Sequence, residues 1–253
     1  MIIILLFITI IIANVFVVFK FFSRIAAIDT KKWTNSVAIY QIVEIVPKSL
    51  SLLIIPLSVY YSEEIVMKNK EVYSALLSYS VLCEFLGLLI GLLLIPNFLF
   101  SINKMILEEK KKIGIINFIK FYFDIILLKS RIKSHFLFFK NIENKNLFRI
   151  NIFTGFFFSL TVPLLVLLSV NFIDHRGTLI SVIPFIVGLT YVIFSYFVER
   201  PLGYFTDLAY ENKMEVEKFE NILVDCIFGK LIGALLAFFC IIPILKILVK
   251  FSQ

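Results

Sequence analysis

The sequence predicts an all-α protein: a polytopic transmembrane bundle of about six helical spans, with an amphipathic interfacial helical segment between spans three and four. Three observations predict it. Hydrophobic residues fill 60% of the 253 positions and charged residues only 17%, where soluble domains run nearer half and a quarter. A water-soluble fold of that composition exposes apolar patches large enough to drive association. Second, the apolar runs reach the roughly 20 residues that carry a helix across hydrocarbon, and they lack the strict alternation of barrel strands. Third, the lysines and arginines gather in the links between those runs, as they do beside membranes.

The first span covers 1–22. Lys20 is its first charge, no basic residue precedes the apolar stretch, and the stretch is longer than a signal-peptide core. A polar link with Arg24, Asp29, Lys31, Lys32 and Trp33 leads to the second span, 36–61, which carries Gln41, Glu44 and Lys48 beside Pro47 and Pro56. After a charged link over 62–71, the third span, 72–100, contains Glu84 and the pair Gly87 and Gly91. The segment 103–149 holds eleven basic residues set among Ile, Leu and Phe. Within it, 113–139 is predicted to lie as helix in the interface, apolar face down and lysines toward headgroups. Lys120 and Asp124 argue against a membrane crossing by 113–128.

The fourth span, 150–173, has Pro163 in its middle, and a tight link with His175 and Arg176 separates it from the fifth, 178–198, with Pro184. A polar connection over 199–220 follows, and its acidic part, 211–220, is predicted to be helical. The last span, 221–245, carries Asp225 and Lys230. Gly229 and Gly233 repeat the spacing of Gly87 and Gly91, which places two small residues on one helix face and lets helices approach closely. The first, third and fifth links hold most of the basic residues, so the positive-inside rule puts them in the cytoplasm and both termini outside.

No P-loop, dinucleotide fingerprint or zinc motif is present, and no metal site or cofactor is expected. Cys83, Cys226 and Cys240 fall inside apolar runs without a CxxC pair, as buried thiols do, and His135 and His175 lie far apart. The net charge of +7 is the signature of cytoplasmic loops beside anionic lipid, with no nucleic-acid partner.

The informative residues are the ionisable ones inside the spans. Lys48 sits about a dozen residues from either end of its span, roughly 18 Å at 1.5 Å per residue, beyond the reach of snorkelling. A charge at mid-helix costs on the order of 3 kcal/mol on insertion scales. Glu44 lies one turn before it, in the favourable order. Two readings stay open: an internal ion pair that fixes packing, or a hydrated cavity into which Lys48 points. The prolines favour the cavity, since a kinked helix opens space for water. Read alone, Lys230 and Arg24 snorkel to headgroups. Glu84 has no basic neighbour in sequence and is expected to be neutral or to pair across helices with Lys48 or Lys230. Glu199, Asp207 and Asp225 are read at the interface.

Several segments carry a resemblance. Asn151-Ile152-Phe153 opens a span that closes at Asp174-His175-Arg176-Gly177-Thr178. Phe197-Val198-Glu199 is followed by Thr206-Asp207, and then comes Gly229-Lys230-Leu231-Ile232-Gly233-Ala234. With Ser23-Arg24-Ile25-Ala26-Ala27 and Pro56-Leu57 from the first half, the chain resembles the Amj family of bacterial membrane proteins, whose type member serves as an alternate lipid II flippase to the MurJ proteins. The sequence departs from the family in two ways. Lys48 and Lys230 stand where the family is expected to have Arg, which keeps charge and loses the bidentate fork that matches phosphate. The first span has Asn14 and no acid.

The resemblance implies a non-enzymatic flippase in the bacterial plasma (inner) membrane, with a lipid-linked sugar and membrane lipids as partners. Lys48, Lys230 and Arg24 would bind the substrate diphosphate, while Glu44, Glu84 and Glu199 would balance those charges in the empty cavity. An ion- or proton-coupled small-solute transporter and a non-transporting membrane subunit are the rival readings.

Overall fold

The computed structural model describes residues 2–66, 70–107 and 142–251, and every regular element among them is helical. The chain order is α1 (Ile2–Thr30), α2 (Trp33–Val66), α3 (Lys70–Leu107), α4 (Lys145–Asn171), α5 (Arg176–Phe194), a π-helical turn (Ser195–Glu199), α6 (Arg200–Tyr210) and α7 (Val216–Phe251). Six stretches are long and apolar enough to cross a membrane, with α5, the π turn and α6 acting as one, Arg176–Tyr210. The segment 113–139, predicted to lie in the interface, falls outside the described residues. At the edges of 103–149 the structure shows helix instead of link: residues through Leu107 finish α3, and Lys145 opens α4.

Several helices outrun their predicted spans. α1 continues past 22 to Thr30, because Ala26 and Ala27 are strong helix formers and no Gly or Pro interrupts the run. It ends where Lys31 takes a left-handed conformation (φ 53°), a common helix stop. The Lys31 ammonium then donates to the Tyr210 carbonyl oxygen at 3.1 Å and Asn212 Oδ1 at 3.3 Å. Trp33 meets the Tyr210 ring edge-on, with centroids 5.4 Å apart. The turn between α1 and α2 is thereby docked on the turn between α6 and α7. The acidic stretch 211–220, expected to be helical, is this turn as far as Glu215, and helix resumes only at Val216. Asn212 supplies the left-handed residue there (φ 59°), a conformation Asn tolerates.

Two helix groups pack together. α1 lies against α2 and α3, α4 lies against α7 and α5, and α3 with α7 joins the groups. The glycine pairs explain the closest approaches. A methyl group on Gly87 would stand 2.6 Å from the Ile11 carbonyl oxygen of α1, and one on Gly233 would stand 2.4 Å from that of Ile152 in α4. No side chain fits at either distance, so the backbones touch only because these residues are glycine. Between the groups lies a core of Phe22, Phe98, Phe219 and Leu223, with Phe19 stacked on Phe98 at 4.3 Å. Large apolar side chains such as Leu52 and Phe185 face outward, as a lipid-exposed surface requires.

Candidate functional site: a buried ion network beside a membrane-depth cavity

The network is built from α1, α2 and the π turn. Lys20 and Arg24 stand one helical turn apart on α1, and both face inward. The Lys20 ammonium lies 2.6 Å from Glu199 Oε1 and 2.8 Å from Glu44 Oε1. Arg24 pairs with Glu199 Oε2, to which the Tyr40 hydroxyl also donates at 2.9 Å. The other arm of Arg24 donates to Thr206 Oγ1 at 3.5 Å. Glu199 thus takes three donors, which compensates a carboxylate removed from water. Lys48 completes the chain, 3.2 Å from the same Glu44 oxygen that Lys20 holds.

The π turn positions Glu199. Its backbone closes with the Arg200 N–H bonded to the Ser195 carbonyl, five residues back. Pro201 has no N–H to give the Phe197 carbonyl, so the regular ladder is broken at this point. The extra residue in the turn re-aims the side chains that follow, and such turns recur at functional positions.

Beside the network lies a cavity of about 170 Å³ between α1, α2, α3, α4, α5 and α7. Lys20, Glu44, Lys48, Glu84 and Lys230 reach its wall, and most of the remaining lining is apolar. Lys230 is buried, with its ammonium 4.2 Å from the Phe194 ring centre and within 6 Å of the Phe21 and Phe158 rings. Those faces attract a cation. Glu84 comes from α3 and faces the Ser159 hydroxyl and, further off, Lys230. Fully ionised, the network and cavity together hold four cations, Lys20, Arg24, Lys48 and Lys230, against Glu44, Glu84 and Glu199. The cluster therefore carries one excess positive charge.

The sequence-derived candidates are distributed as follows. Lys48 lines the cavity with Glu44 in reach, and its side chain is 54% exposed. Lys230 does not snorkel: it is held inside the bundle by aromatic rings. Arg24 does not snorkel either. It lies behind the cavity wall, committed to Glu199, Tyr40 and Thr206. Glu199, read at the interface, is instead the centre of the buried network. Glu84 shares the cavity wall with both Lys48 and Lys230 and faces the Ser159 hydroxyl. Sequence reasoning missed Lys20 and Tyr40. Lys20 stands in the sequence only as the first charge of a span drawn over 1–22, but the apolar run Ile25-Ala26-Ala27-Ile28 after Arg24 signals that the helix continues and that both cations need buried partners. Among the described residues no group of three or more His, Cys, Asp or Glu side chains is placed to hold a metal ion.

An all-helical bundle with six membrane-length spans and an ion-lined cavity at mid-depth defines a polytopic membrane protein with a polar site inside its helices. The profile of the family described as Amj, Alternate to MurJ, matches residues 6–252. The chain belongs to the Amj family. Comparisons with curated proteins and with solved structures return no match. The family segments scattered along the sequence converge in the fold: Arg24 binds Glu199 and Thr206, and Gly229 and Gly233 bring α7, with Lys230 between them, against α4.

Proposed function

We propose that this protein is a flippase that carries a polyprenyl-diphosphate-linked sugar, lipid II or a close relative, across the bacterial plasma membrane. The observation that carries the reading is the cavity: three lysines, Lys20, Lys48 and Lys230, reach one membrane-depth space that is otherwise mainly apolar. The family's description as an alternate to MurJ supports the same substrate. Cations at such depth are costly unless compensated. A diphosphate supplies that compensation, and the Glu44 oxygen shared by Lys20 and Lys48 is the partner it would replace. Arg24 keeps Glu199 in place while this exchange occurs. The chain's part is binding and passage, with no bond of the substrate made or broken.

Growth tests the proposal. Expression should restore viability to a bacterial strain depleted of its lipid II flippases. Failure to do so by protein that inserts and accumulates would count against this substrate.

A further inference from the structure

The two least buried spans both line the cavity. Only 11% of the most apolar stretch of α2 is buried, and 17% of that of α5–α6, whereas the other four spans reach 44–61%. α2 packs mainly on α1, and α5 on α4, without extensive packing between α2 and α5. Yet both line the same cavity: Pro47, Lys48, Ser51 and Ile55 from α2, Val187 and Tyr191 from α5. Across the space the Tyr191 hydroxyl faces Ser51, whose own hydroxyl donates to the Lys48 carbonyl at 2.7 Å. Tyr191 is braced from behind by Phe158, edge-on at 5.0 Å. Leu52 and Val192, 72% and 65% exposed, carry the apolar surface outward on either side.

We infer that the gap between α2 and α5 is the lateral portal through which the isoprenoid chain of a lipid-linked diphosphate stays in the bilayer while its headgroup occupies the cavity, with Ser51 and Tyr191 as the latch. The inference rests on the proposed function and adds where the lipid enters. A diphosphate at Lys48 has its chain attached directly, so the chain must leave the bundle close to Lys48. The half-exposed Lys48 stands at this mouth. Continuity between the cationic wall and two outward apolar faces is what an isoprenyl diphosphate requires. A free anion would need no such faces.

The test is a reversible bridge across the mouth. In a chain whose Cys83, Cys226 and Cys240 are alanine, Ser51→Cys and Tyr191→Cys are joined by a reducible bifunctional maleimide. Translocation of fluorescent lipid II is then followed in vesicles of phosphatidylethanolamine and phosphatidylglycerol. Bridging should lower the rate at least tenfold, and reduction should restore it. A bridged protein that translocates at the unbridged rate overturns the portal. Independently, a photoactivatable isoprenyl diphosphate should label α2 and α5 near Leu52 and Val192, and the corresponding isoprenyl alcohol should label them much less. Labelling confined to other helices overturns the portal even if the cysteine variant is inactive. Labelling at the mouth without translocation by the unmodified protein would remove the flippase reading and leave the portal standing.

Discussion

Lys20 and Lys48 share a single oxygen of Glu44, so removing Lys48 leaves that carboxylate paired. Lys48→Ala should therefore insert and accumulate as the unmodified protein does, yet fail to rescue a flippase-depleted strain. Lys48→Arg, which keeps the charge, should rescue substantially. Quantitative membrane immunoblots beside growth curves check both, and full rescue by Lys48→Ala would make the pair structural. Glu199 is different, because two buried cations depend on it. Glu199→Ala leaves Lys20 and Arg24 without that carboxylate, and breaking a buried pair from one side costs about 3–5 kcal/mol. Thermal unfolding in detergent should show a large fall in the midpoint for Glu199→Ala, while Lys48→Ala stays near the unmodified value. Lys48 and Glu44 were legible in the sequence because they sit one turn apart inside a long apolar run. Glu199 was misplaced because its partners lie about 160 to 180 positions away, a separation that periodicity cannot bridge.

At the scale of the element, helix identity was readable and helix ends were not. Six apolar runs announce six spans, but the first is drawn only over 1–22 with Arg24 in the link beyond it, although buried partners for Lys20 and Arg24 let α1 continue to Thr30. The π turn left a trace in Pro201, yet a proline there equally suits an ordinary helix start. The glycine pairs were legible as packing sites from spacing alone, but not which helix each would meet. Gly233→Val should force α7 from α4, since even a methyl group at this position would stand 2.4 Å from a backbone oxygen. Overpacking of this kind costs about 1–3 kcal/mol. Gly188→Ala, with nothing within 4 Å of the added carbon, should leave the unfolding midpoint unchanged or raise it slightly. Equal midpoints for the two variants would mean that α4 and α7 are not in contact.

For the whole molecule, the distribution of basic residues predicts both termini outside and 103–149 on the cytoplasmic side. In cells, a membrane-impermeant maleimide should label Lys68→Cys and spare Lys111→Cys, and the reverse pattern would invert the orientation. The central claim concerns what crosses the bilayer. The most direct measurement is purified protein in vesicles carrying fluorescent lipid II, with the fraction accessible to an external quencher followed over time. The account predicts exchange between leaflets well above that of protein-free vesicles, and its loss in Lys48→Ala. Protein that moves small ions or solutes across the same vesicles while lipid II stays in its original leaflet would contradict it.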